Sequence, residues 1–207
     1  MANTLRNRQR ELAKDLILSA LAEHVAERER VEFSIGELAK RAGVSARTIY
    51  NYFPTRQDLI EGLAELIDKD TEARGSQLLP TTLSALPEVI KLNFGVFAEM
   101  GGTSVALARM DTAETNTKPR RRRTEAFAAI VADAHPELTQ DQIHAVGGLI
   151  RQIVGVKSWY TLTRELGLTT EQAGDIVAWG VTVMANALRA GNVPEVADKE
   201  TPRRRPV

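Results

Sequence analysis

Apolar positions recur at helical spacing along most of this 207-residue chain, and the alternating pattern of strands is nearly absent. From Arg8 to Glu29 the residues Leu12, Leu16, Ala20 and Val25 form one stripe, with polar residues on the other face. This predicts a first amphipathic helix, broken at Arg30–Phe33. Punctuation then predicts three further helices. Ser34 followed by Glu37 is a capping box, with Gly43 as the stop of a helix ending near Ala42. Ser45 caps a second segment, Ala46–Tyr52, which Pro54 closes. Thr55 caps a third, Arg56–Asp70, with Asp58 in the first turn, where the helix dipole favours an anion. Gly75, Ser76 and Pro80 mark a seam. Beyond it the periodicity predicts helices near 84–99, 103–111, 119–134, 139–165 and 170–190. Gly101-Gly102 separates the first pair, Pro119 suits an early helical position, and Thr169 with Gln172 is another capping box. From Asn192 onward a polar, proline-containing stretch is expected to be a mobile tail.

The two short helices around Gly43 have the form of a helix-turn-helix. Ala39 is small enough for a close crossing, and Gly43 permits the positive φ of the turn. Leu38, Val44 and Ile49 can fill the space between the helices. Ala46, Arg47, Thr48, Tyr50, Asn51 and Tyr52 are left facing mostly outward. Arg and Asn have the donor geometry that reads base edges, while Ser, Thr and Tyr suit phosphates. Ser34, Ser45, Thr55 and Arg56 complete this candidate DNA-binding set.

These residues resemble the tetracycline-repressor (TetR) family. The likeness runs over about residues 10–66. It is most specific at Ala42-Gly43-Val44-Ser45, at Thr48-Ile49-Tyr50-Asn51-Tyr52-Phe53 and at Thr55-Arg56-Gln57-Asp58-Leu59. Arg47 departs from the family pattern, which often has a small residue there. The resemblance implies an all-α homodimer of nine or ten helices per chain. An N-terminal helix-turn-helix three-helix DNA-binding domain (1–56) would precede a C-terminal helical ligand-binding and dimerisation domain (57–191), with 57–70 as the linking helix and 192–207 as the tail. It implies phosphate contacts for Tyr52 and Arg56, and a four-helix bundle across the two-fold axis built from the last two helices of each subunit. The nine helices read from periodicity agree with that layout.

Charge adds an asymmetry. Lys plus Arg and Asp plus Glu both number 27, yet residues 1–56 hold ten basic residues against seven acidic ones. Arg6, Arg8 and Arg10 stand near the start without an acid among the first ten residues. They fit either a solvated terminus or contacts to flanking phosphates. The chain has no cysteine, which excludes disulfides, thiolate zinc sites and a cysteine nucleophile. His24, His135 and His144 have no metal-ligand spacing, so no metal or cofactor is expected. Neither a Gly-x-Ser-x-Gly elbow nor a P-loop nor a dinucleotide fingerprint occurs, so no enzymatic activity is expected. With no long apolar run and no apolar segment at the start, a cytoplasmic protein with no membrane partner is expected.

Large apolar groups, Phe94, Phe97, Met100, Met110, Phe127 and Trp159, serve either a helical core or the walls of a ligand pocket. Asn93, Gln152 and Tyr160 are candidate polar contacts. Arg120–Arg123 with Lys118 forms the densest basic cluster; a solvated loop, an ion-paired cluster and an anion site all fit it. Small residues crowd the last two long helices: Gly147, Gly148, Gly155, Ala173, Ala178, Gly180, Ala185 and Ala187. They suggest close helix approach, with Val146, Ile150, Val154, Ile176, Val177, Val181 and Met184 in a dimer seam or the subunit core. The expected function is a ligand-responsive DNA-binding regulator, a repressor released from a palindromic operator on double-stranded DNA by a mostly apolar small molecule. The alternatives are a helical enzyme, or an effector-independent DNA-binding or interaction module on a similar fold.

Overall fold

The structure is a computed structural model that describes residues 2–28, 32–73, 80–110 and 118–196. Among the described residues there are helices and no strands. In chain order they are α1 (Ala2–Arg28), α2 (Ile35–Ala42), α3 (Ala46–Tyr52), α4 (Arg56–Ala73), α5 (Leu86–Glu99), α6 (Gly102–Met110), α7 (Lys118–Ala134), α8 (Gln140–Val154), α9 (Val156–Tyr160) and α10 (Thr170–Arg189). A 3-10 turn at Leu83–Ala85 leads into α5, and a π turn at Thr161–Glu165 follows α9. Gly75, Ser76 and residues 197–207 of the expected tail lie outside the described residues.

The caps expected from sequence close as hydrogen bonds. Ser34 and Glu37, and Thr169 and Gln172, form reciprocal capping boxes. Thr139 and Gln142 form a third at the start of α8. Gly43 ends α2 at φ 66°, a conformation that a Cβ would strain.

Two expectations about packing change. Leu12 and Leu16 do not face the core: they are 62% and 49% exposed. The buried face of α1 is Ile17, Leu18, Leu21, Ala22 and Val25. The stripe through Leu12, Leu16 and Ala20 has the right period, but Leu12 and Leu16 fall on the side of α1 turned away from the buried Leu18 and Leu21. The single helix expected over 139–165 is instead divided. Gly155 takes an extended conformation (φ −83°, ψ 168°), and the chain restarts as α9 in a new direction. α8 then packs along α7, while α9 turns toward α6.

A continuous core runs from α1 through α10. Ala173 is fully buried, and α10 lies along α5, with Lys91 and Asp175 paired at 2.6 Å on its edge. Val146, Ile150, Val154, Val177 and Val181 are buried within the subunit, whereas Ile176 is half exposed. Trp179 and Val183 stand exposed with Ile176 on the outer face of α10, and Leu149 is exposed on α8. The basic cluster is no loop. Arg121, Arg122 and Arg123 sit in the first turns of α7, and Arg123 pairs with Asp68 of α4 at 3.3 Å. Arg122 approaches the same carboxylate at 3.8 Å. Asp68 offsets positive charge at a helix start, which the dipole alone would disfavour. The side chain of Arg120 lies outside the described residues.

Candidate nucleic-acid interface

Leu38, Ile49, Phe53, Leu59, Ile60 and Leu63 are buried together with Ile17, Leu21 and Val25, so α1 to α4 share one small core. The backbone N–H of Val44 donates to the Ala39 carbonyl at 3.0 Å and closes the turn after α2. α3 therefore has a fixed orientation and only Ile49 fully buried. Its outer face carries Ala46, Arg47, Tyr50 and Asn51, all exposed, with Tyr50 at 53%.

Several hydroxyls of the candidate set already hold the backbone. Ser34 Oγ accepts from the Glu37 N–H at 3.1 Å, and Ser45 Oγ accepts from the Thr48 N–H at 3.0 Å. Thr48 Oγ1 lies 2.8 Å from Ser45 Oγ. Thr55 Oγ1 accepts from the Asp58 N–H at 3.2 Å, and Asp58 accepts in return from the Thr55 N–H at 2.8 Å. These residues set where α2, α3 and α4 begin. Arg47, Tyr50 and Asn51 are exposed and take no part in these caps.

Two cations stack on rings at the rim. The Arg10 guanidinium lies 5.8 Å from the Tyr52 ring centroid, and that of Arg56 lies 5.2 Å from Phe33. Nothing in local spacing signals the pairing of Arg10 with Tyr52, because it joins residues distant in the chain. Arg41 pairs with Glu23 at 3.4 Å and with Glu27, both on α1. A cleft of about 170 Å³ between α1 and α4 is lined by Glu11, Asp15, Asp58, Glu61 and Glu65 against Lys14 and Lys69. Its excess of carboxylates repels phosphate, so the basic rim ends there. Lys14 holds the Glu11 carboxyl below its ordinary range, chiefly by a hydrogen bond.

Of the apolar set, Phe94, Phe97, Met110, Phe127 and Trp159 are buried, while Met100 is half-buried. Phe97 lies 6.0 Å from Phe94 and 6.2 Å from Trp159, ring centre to ring centre. The backbone of Phe127 lies at the α7–α8 seam, beside Gly147. Asn93 is buried, Tyr160 is half-buried and accepts from Arg109, and Gln152 is exposed and accepts from Arg151. Ser104 Oγ and Trp159 Nε1 are buried with no hydrogen-bond partner among the described residues. Among the described residues no group of three potential metal-ligating side chains converges, and no helix is long and apolar enough to cross a membrane.

Residues 17–63 match the family described as "Bacterial regulatory proteins, tetR family". Over 83 residues the chain is 34% identical to the nucleoid occlusion factor SlmA of Aliivibrio fischeri, a match covering 38% of this chain and 42% of that protein. The same fold is seen in a putative TetR-family transcriptional regulator from Syntrophomonas wolfei, with a TM-score of 0.67 at 20% identity over 88% of this chain and 97% of the other. A TetR transcriptional regulator from Rhodococcus sp. RHA1 gives 0.53 at 19% identity, over 90% and 99%.

Proposed function

We propose that this chain, which belongs to the tetR family of bacterial regulatory proteins, acts in the cytoplasm as a homodimeric repressor that a small molecule releases from a palindromic operator. DNA binding and transcription regulation follow from the family; the dimer, the effector and the sign of regulation are the proposal. The observation that carries the effector is the pair of buried donors, Ser104 Oγ and Trp159 Nε1, with Trp159 set against Phe97. A buried donor without a partner costs roughly 1–3 kcal/mol, and a ligand acceptor would recover that cost. An apolar or aromatic molecule with one or two oxygen acceptors matches these surroundings. Phe94, Phe97, Met100, Met110, Phe127 and Trp159 are the proposed lining. The Arg120–Arg123 cluster suits an anionic effector less well, because Arg122 and Arg123 approach Asp68.

The dimer reading is supported by the exposed apolar stripe Ile176, Trp179 and Val183 on α10 and by the exposed Leu149 on α8. A monomer would leave these side chains in water. The proposed DNA-binding domain covers 1–56 and the ligand-binding and dimerisation domain 57–191. Arg47 and Asn51 are proposed to read base edges, with Tyr50 beside them. Ser34, Ser45, Ala46, Thr48, Tyr52, Thr55 and Arg56 are proposed to lie along the backbone of the DNA.

Two linked measurements test this function. Selection of duplexes from random DNA is expected to enrich an inverted repeat. A thermal-shift screen is expected to find apolar oxygen-bearing compounds that stabilise the protein and weaken its hold on that duplex. Emptying a nearly full operator requires the effector to prefer the released state by about 5.5 kcal/mol. Enrichment of no duplex would overturn the DNA-binding reading. A response to polyanions only, lost when Arg121, Arg122 and Arg123 are neutralised, would overturn the apolar effector.

A further inference from the structure

α1 carries the DNA-binding helices, and its C-terminal part lies along α6. A Cβ placed on Gly102 would sit 3.5 Å from the Ala26 Cβ and 3.6 Å from the Ala22 carbonyl oxygen, so the two helices nearly touch there. At the other end of α6 stands Arg109. Its Nη1 donates to the Val25 carbonyl at 3.4 Å. Val25 lies in the last turn of α1 as described, Ala2–Arg28. Arg109 thus puts a cation on the C-terminus of α1, where the dipole favours one.

The same guanidinium is held from behind. Its Nε and Nη2 donate to the Tyr160 hydroxyl at 2.9 and 2.8 Å. Tyr160 closes α9, a five-residue helix bounded by the break at Gly155 and by the π turn at Thr161–Glu165. One half-buried side chain therefore links three elements far apart in sequence. An arginine is suited to this task because its planar fork can grip one oxygen with two N–H groups while a third reaches another acceptor.

We propose that Arg109, held by Tyr160, is a positioning residue for operator binding: it fixes the angle of α1 on the helical body and so sets the spacing at which the two recognition helices meet DNA. The inference rests on the dimer reading above. A two-fold dimer presents its recognition helices to half-sites about one helical turn apart, and that separation is a geometric property of the scaffold. No residue of the latch lies on the DNA-facing side of α3. Its loss therefore leaves the grip on one half-site intact and affects how the two grips combine.

The test uses the full chain and two sets of duplexes: the selected inverted repeat with its centre lengthened or shortened base pair by base pair, and a single half-site. The wild-type chain is expected to prefer one spacing sharply. Arg109→Gln and the conservative Tyr160→Phe, which removes only the accepting oxygen, are expected to bind the half-site as before. They should lose about tenfold of the spacing preference, the worth of one hydrogen bond to a charged group. Retained spacing preference in both variants overturns the inference while leaving the dimer reading in place. So does a parallel loss on every duplex that tracks a lower melting temperature, since that marks a merely structural contact. A wild-type chain with no spacing preference overturns the dimer reading and this inference with it.

Discussion

Arg47 and Arg56 differ in surroundings although both are arginines near the recognition helix. Arg47 projects from the exposed face of α3, and the Arg56 guanidinium is set over the Phe33 ring at the start of α4. Arg47→Ala is expected to cost about 1–3 kcal/mol of operator affinity and to relax one position of the site. Arg56→Ala should weaken all duplexes alike and lower the salt slope by about one. Binding profiles over single-base operator variants, repeated across a salt series, check both. Identical profiles and slopes for the two variants would show that they do not divide the work this way.

At the scale of elements, α7 and α8 are in backbone contact. A Cβ on Gly147 would lie 2.7 Å from the Ala128 backbone nitrogen, which cannot retreat without moving α7. Gly147→Ala is therefore expected to destabilise the chain by about 1–3 kcal/mol. Gly95 in α5 is the control, since a Cβ there meets nothing within 4 Å. Gly95→Ala should be neutral or stabilise by up to about 1 kcal/mol, the helix-propensity gain. Denaturant melts of the two variants should move in opposite directions, or leave the control unmoved. A Gly147→Ala protein as stable as wild type would mean that the α7–α8 seam can open without cost.

The whole molecule carries its largest exposed ring, Trp179 at 64%, in the middle of the α10 stripe. Tryptophans at the centre of an interface are frequent hot spots, with truncation costs of about 2 kcal/mol or more. Trp179→Ala is expected to raise the dimer dissociation constant at least about thirtyfold on that figure. The fold should be unaffected, because the side chain is not part of the subunit core. Sedimentation at several concentrations together with the far-UV spectrum checks this. A dimer of unchanged strength would move the interface off α10. Ala173, by contrast, is no probe of the interface: it is buried against its own subunit.

Local signals carried the DNA-binding half. Ser34, Glu37, Gly43, Ser45 and Thr55 act within three or four residues of themselves, so their hydrogen bonds and φ angles follow from short spacing alone. The burial of Leu38 and Ile49 follows as well, because two helices joined by a tight turn have one way to face each other. The rest depended on what each stripe meets in three dimensions. Leu12 and Leu16 keep the helical period but lie on a side of α1 that no other described helix covers. Gly155 could sit inside a helix at a small cost, and only the pull of α9 toward α6 decides that it breaks one. Small residues look alike along the chain, yet Gly147 faces α7 and Gly180 faces open space. Arg109, Tyr160 and Val25 come from α6, α9 and α1, and no periodicity relates them. Short-range caps and turns are thus determined by the sequence by itself, whereas the partner of each face is decided only when the helices pack, because burial is a property of pairs of surfaces.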